Sequence, residues 1–128
     1  MGDYLEFQFT NDCPIYLQLA EQIVNGIITG EYKPGEKLPS VREFAVIASV
    51  NPNTAQRALS ELEDKGLVDT LRNTGKFVTM DEKIIEQSRV SRAKELAENY
   101  FKGMKAIGYS DVKALELLEK CKREEETI

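Results

Sequence analysis

Two helix starts placed close together constrain this chain more than any other feature. Ser40 and Glu43 have the spacing of a capping box, in which the serine accepts from the third helical N–H and the glutamate reaches back to the cap. Asn51-Pro52 marks the second start, since asparagine caps well and proline suits the first helical position. Only one short helix fits between them, with Phe44, Ala45, Ile47 and Ala48 as its inward face. Ser49 and Val50 then lead into a tight turn and a helix whose apolar stripe is Ala55, Ala58, Leu59 and Leu62, ending at Gly66. A short helix, a tight turn and a second helix make a helix-turn-helix.

The flanks extend this unit. Residues 14–28 form a predicted first helix, with Asp12 as its expected cap. Ile15, Leu19, Ile23 and Ile27 recur every fourth position, and Ala20, Val24 and Ile28 lie beside them as one apolar stripe. Gly30 stops this helix, and Pro34-Gly35 makes a turn. After Gly66, two extended runs at 67–72 and 76–80 are separated by Asn73, Thr74 and Gly75, which reads as a β-hairpin. A hairpin directly after the second helix of the pair makes the unit a winged helix-turn-helix.

Past Met80 the character changes: charges alternate in sign, and glycine and proline become rare. Val90, Ala93, Ala97, Tyr100, Met104 and Ile107 alternate spacings of three and four, a heptad-like seam that Leu96 and Phe101 widen. Gly108 ends that helix. Ser110 caps a last one carrying Val112, Leu115, Leu118 and Cys121, and residues 122–126 are expected to be solvated and frayed. The expected fold is α+β, mostly α: a winged helix-turn-helix head at 1–80 and a two-helix dimerisation tail at 81–128.

Charge and composition narrow the function. No stretch approaches the ~20 apolar residues of a membrane helix. The start, with Asp3 and Glu6, lacks the basic region of a secretory signal. Cys13 and Cys121 have no metal or disulfide spacing, and read as two free thiols of a cytoplasmic protein, with redox sensing as the alternative. The net charge of −5 argues against nucleic acid at first sight. Between Lys33 and Lys76, however, seven basic residues face six acidic ones, so a local basic surface is compatible with the composition.

Catalysis finds little support. The chain has no histidine, which removes His-based triads and His-ligated metals, and it has no glycine-rich phosphate loop. No cofactor and no metal are expected. The helix beginning at Pro52 does offer a second face. Asn53, Arg57, Ser60 and Asp64 lie opposite the apolar stripe, with Gln56 at its flank. Asn, Gln and Arg pair bidentately with base edges, and they sit near the helix start that reads bases in helix-turn-helix docking. The bland reading of that face is ordinary solvation. Arg42, Ser40 and the N–H groups at the start of the short helix suit a phosphate. The hairpin tip places Gly75 and Lys76 where a minor groove would be met.

The span 14–78 resembles the head of GntR-type bacterial transcription regulators. The residues that carry the resemblance are Pro14-Ile15-Tyr16-Leu17-Gln18, Pro34-Gly35-Glu36-Lys37-Leu38-Pro39-Ser40-Val41-Arg42-Glu43, Asn51-Pro52-Asn53-Thr54-Ala55-Gln56-Arg57-Ala58-Leu59, Gly66-Leu67-Val68 and Gly75-Lys76-Phe77-Val78. The resemblance implies a dimer on operator DNA, with the third helix in the major groove and the wing at a minor groove. It implies contacts from Arg42, from Asn51 to Thr54, from Gln56 and Arg57, and from Gly75. Pro52 stands where many members carry a basic residue, and Lys76 stands where the wing often has threonine. The short tail resembles that of the YtrA-like branch, whose two tail helices serve dimerisation.

The expected function is therefore a homodimeric transcription regulator, a repressor, on an inverted-repeat operator of double-stranded DNA. Val90, Ala93, Leu96, Ala97, Tyr100, Phe101, Met104, Ile107, Leu115 and Leu118 are the expected dimer contacts. A winged helix that docks other proteins is the alternative, which the acidic balance suits. No polar cluster in the tail marks a site for a small-molecule effector.

Overall fold

A computed structural model describes residues 6–126, so Asp3 lies outside the described residues. The elements run α1 (Ile15–Ile28), α2 (Val41–Ala48), α3 (Pro52–Asp64), β1 (Val68–Leu71), β2 (Gly75–Val78), α4 (Glu82–Ala106) and α5 (Asp111–Glu126). The chain forms two compact units that meet between Arg89 and Val90, within α4.

In the first unit, α1, α2 and α3 pack around Phe44, which is fully buried with Leu19, Ile23, Leu59 and Leu62. Phe7 and Tyr32 meet the Phe44 ring edge-on, at centroid distances of 6.3 and 6.4 Å. The stripe expected on α3 is buried in full: Ala55, Ala58, Leu59 and Leu62. On α1 the stripe starts later than expected. Ile15 is 43% exposed and Leu19 is the first buried position, because Ile15 occupies the first turn, at the edge of the bundle. Asp12 does not cap α1. Pro14 is the N-cap and makes no side-chain bond, while Asp12 accepts from the Thr10 hydroxyl. That bond holds the Asp12 carboxyl below its ordinary range.

Ahead of α1, residues 7–10 form a strap that side-chain amides hold in place of a neighbouring strand. Gln22 accepts from the Gln8 N–H at 3.0 Å and donates to its carbonyl at 2.7 Å. Gln18 does the same for Thr10, at 2.8 and 2.9 Å. These paired bonds satisfy extended backbone against a helix and seat Phe7 and Phe9 on the core.

The wing is an antiparallel pair with Val68 opposite Val78 and Leu71 opposite Gly75. Gly75 is therefore a strand residue and not part of the loop, and β2 ends at Val78 and not at Met80. Loop closure explains the shift. The Thr74 N–H bonds the Leu71 carbonyl at 3.1 Å, and Asn73 takes the left-handed conformation that lets three residues turn the chain. A third extended segment, missing from the sequence reading, lines the other edge of β2. Lys37 bridges Phe77, the Leu38 N–H bonds the Lys76 carbonyl at 2.8 Å, and the Val78 N–H bonds the Glu36 carbonyl at 2.9 Å.

The first turns of α4 belong to this same unit, where Ile85 is buried and Ile84 half-buried against the core. The Arg89 guanidinium donates to the Ile28 carbonyl at 2.6 Å, at the end of α1, where unpaired carbonyls favour a cation.

The second unit holds the rest of α4 and α5. The chain reverses at Gly108, and the Tyr109 N–H closes on the Met104 carbonyl at 3.0 Å. Ala114 is fully buried, and the Tyr100 hydroxyl donates to its carbonyl at 2.7 Å. The Tyr100 and Phe101 rings meet edge-on at 5.4 Å. Residues 122–126 are the last turn of α5, and residues 122–125 are exposed, as expected of a solvated end. Cys13 and Cys121 are both free and exposed.

Candidate nucleic-acid interface

Three local devices frame α2 and the turn from it into α3. At the start of α2 the Ser40 hydroxyl accepts from the Glu43 N–H at 3.1 Å, and the Glu43 carboxylate accepts from the Ser40 N–H at 2.8 Å. These bonds, backbone first, hold the Glu43 carboxyl below its ordinary range. At the end of α2, Ser49 takes a left-handed conformation, and the Val50 N–H reaches the Ala45 carbonyl at 2.9 Å. The Asn51 side chain then accepts from the Asn53 N–H at 2.8 Å, and Pro52 opens α3. At the far end, Gly66 at φ 78° lets the Leu67 N–H close on the Leu62 carbonyl at 3.0 Å, and the wing begins.

With Ala55, Ala58, Leu59 and Leu62 buried, the helical period turns Asn53, Gln56 and Arg57 outward, and all three are exposed. Thr54 and Ser60 are half-buried at the margin, and Asp64 is exposed. Gln56 donates to the Ser60 hydroxyl at 3.2 Å, which steadies an amide that would otherwise sample several rotamers. The Arg57 guanidinium lies over the Tyr16 ring of α1, 4.0 Å from its centroid. At this distance the ring quadrupole attracts the cation. Arg42 and Ser40 are exposed at the start of α2.

The wing lysine is placed differently from what its position beside the hairpin tip suggests. Lys76 stands opposite Thr70 in the ladder, so both side chains share one face. Its ammonium donates to the Thr70 hydroxyl at 3.1 Å and pairs with the Glu63 carboxylate of α3 at 3.4 Å. Its side chain is only 14% exposed. Glu63 also accepts from the Thr70 hydroxyl, which closes a three-residue network. Gly75, at φ 120°, is half-buried beside it.

Two residues of this surface carried no role in the sequence reading. Tyr16 lay within a family motif without a physical function, and its partner Arg57 is 41 positions away. Lys37 likewise stands in a family motif, and its sequence position shows only a positive charge. No local spacing announces either contact, since each joins segments that meet only through the core.

In the second unit, the seam residues Val90, Ala93, Leu96, Ala97 and Ile107 are exposed, while Tyr100, Phe101 and Met104 are half-buried. Leu115 and Leu118 of α5 are exposed as well. Among the described residues, no helix is long and apolar enough to cross a membrane.

Residues 15–78 match the family described as "Bacterial regulatory proteins, gntR family". The chain is 41% identical over 112 residues to the uncharacterized HTH-type transcriptional regulator YhcF of Bacillus subtilis (strain 168), covering 88% of this chain and 93% of that one. It is 46% identical over 70 residues to the HTH-type transcriptional repressor YtrA of the same organism, a match spanning 55% of this chain and 54% of that protein. Among solved structures, a GntR family transcriptional regulator from Listeria monocytogenes superposes with a TM-score of 0.79 at 42% identity, covering 88% of this chain and 98% of that chain. The buried stripe of α3, the polar face opposite it, the wing and these matches agree: the chain belongs to the GntR family, and is a DNA-binding transcription regulator rather than an enzyme.

Proposed function

We propose that the chain is a cytoplasmic homodimeric repressor that recognises an inverted-repeat operator. The observation that carries this reading is the outward set Asn53, Gln56 and Arg57 at the start of α3, directly after a turn that the Asn51 cap closes. These side-chain types form bidentate pairs with adenine and guanine edges in the major groove. Thr54 and the capping Asn51 lie at the same helix start, where backbone N–H groups favour a phosphate. Ser40 and Arg42 supply a second helix start and a cation. Gly75 sets the wing turn beside the groove next to it, and Lys76 ties that wing to α3 through Glu63. The relative YtrA is named a repressor, which supports repression as the outcome of operator binding.

In this reading the head through Met80 binds DNA and residues 81–128 pair the copies. The support is the apolar surface left open on the second unit. Val90 is 46% exposed, Leu96 54%, Ile107 70%, Leu115 53% and Leu118 45%. Large apolar side chains left exposed in such number on two helices suit an interface. Exposed Ala93 and Ala97 give the close approach that Tyr100, Phe101 and Met104 then flank. A two-fold dimer presents two equal recognition helices, hence an operator with the same symmetry.

Selection of bound sequences from random DNA, together with sedimentation of the free protein, tests the proposal. The expected result is a dimer and an inverted repeat with half-site centres roughly 34 Å apart or a displaced variant of that spacing. Recovery of asymmetric single sites by a monomer would refute it. Binding that lacks a steep salt dependence would instead favour a protein-docking module.

A further inference from the structure

The wing carries two lysines, and the geometry separates their roles. Lys76, the lysine nearer the hairpin tip in sequence, is neutralised: Glu63 pairs with it at 3.4 Å, Thr70 accepts from it at 3.1 Å, and its side chain is 14% exposed. An ammonium already satisfied by a carboxylate has little left to offer a phosphate. It ties the wing to the end of α3.

Lys37 is in the opposite situation. It lies on the extended segment that lines the free edge of β2, pinned by the Leu38–Lys76 and Val78–Glu36 backbone bonds on either side. Its side chain is exposed and crosses Gly75. A Cβ on Gly75 would lie 3.0 Å from Lys37 Cε and 3.8 Å from Nζ. The absent side chain at 75 is therefore the space through which the Lys37 stem reaches the wing turn. No ion pair holds Lys37 among the described residues. The Glu43 carboxylate feels the Lys37 charge only weakly, as the last of the causes that lower it, and is engaged by the Ser40 N–H.

We infer that, of these two lysines, Lys37 and not Lys76 binds phosphate, with Gly75 acting as the gap that lets its ammonium reach the edge of the groove. The inference rests on the DNA-binding reading above. It gives Gly75 a second role besides its left-handed backbone. A phosphate contact positions the wing without reading sequence, so Lys37 contributes to affinity for every DNA alike.

The test measures the logarithm of operator affinity against that of salt concentration for the full chain and three variants. Lys37→Gln is expected to flatten the slope by about one unit and to weaken binding to operator and random DNA equally. Lys37→Arg keeps the wild-type slope. Lys76→Gln also keeps it, because the charge removed was already paired. An unchanged slope in Lys37→Gln, or a flattened slope in Lys76→Gln, overturns the assignment. A thermal melt of each variant shows whether it is folded, and Lys37→Arg separates charge from packing. Absence of any DNA binding by the wild-type chain overturns the underlying reading, and the assignment with it.

Discussion

The Arg57 guanidinium carbon sits 4.0 Å from the centroid of the Tyr16 ring, so the exposed face of α3 is braced by α1. A stacked arginine has fewer rotamers to lose on meeting a base, and its donors remain free at the guanidinium edge. Tyr16→Phe keeps the ring and is expected to bind the operator like the wild type. Tyr16→Ala is expected to weaken binding roughly two- to five-fold, the equivalent of about 0.5–1 kcal/mol for an exposed cation–π pair. Removing Arg57 as well abolishes the effect of Tyr16→Ala. A double-mutant cycle in operator binding checks this, and independent losses from the two sites would contradict it.

Arg42 and Arg57 are expected to fail differently. Arg57→Ala costs discrimination between bases at one operator position, about 1–3 kcal/mol. Arg42→Ala lowers affinity for all sequences and flattens the salt slope by about one unit. Binding profiles on operator variants at two salt concentrations separate the two. Wild-type behaviour from both variants would rule out this docking of α2 and α3.

The capping box makes a stability prediction at the same place. Ser40→Ala removes the acceptor for the Glu43 N–H, and is expected to cost about 1 kcal/mol, or roughly 4–8 °C in melting temperature. Glu43→Gln retains the reciprocal acceptor and costs less. Thermal melts by circular dichroism check both.

Cutting the chain distinguishes anchoring from pairing. Ile85 is buried in the head, and Arg89 bonds the end of α1, so a fragment ending at Arg89 is expected to stay folded and become monomeric. Its operator affinity collapses because the half-sites are no longer linked. A fragment ending at Met80 loses the Ile85 side chain, worth about 1.5–3 kcal/mol of burial, and melts lower. Sedimentation and melting of the two fragments give the answer. A dimeric fragment ending at Arg89 would place the interface elsewhere.

Alkaline pH should act through Tyr32. Burial, with help from Glu36 and Glu31, pushes its hydroxyl from 10.0 up to about 12. The raised value means that folding favours the protonated form. The contribution is complete below pH 10 and falls as pH rises from there toward 12. Tyr32→Phe cannot ionise, so its stability should decline less over that window. Urea melts of the two proteins at stepped pH check the difference.

Much of the head was legible without coordinates, because its signals are local. Ser40, Glu43, Asn51 and Pro52 act within one turn of themselves, and Ala55, Ala58, Leu59 and Leu62 are buried by a period that any α-helix obeys. Those residues alone dictate the helix pair and hence which face of α3 is left outward. The tertiary structure decided what the outward residues touch. Lys76 is drawn to Glu63, Lys37 fills the gap at Gly75, and Arg57 settles on Tyr16. The third wing segment likewise exists only because Gly35 to Leu38 are brought against β2. The physical reason is range. Caps and helical stripes are set by neighbours a few positions away, whereas a charge finds its partner across the core after distant segments have been folded together.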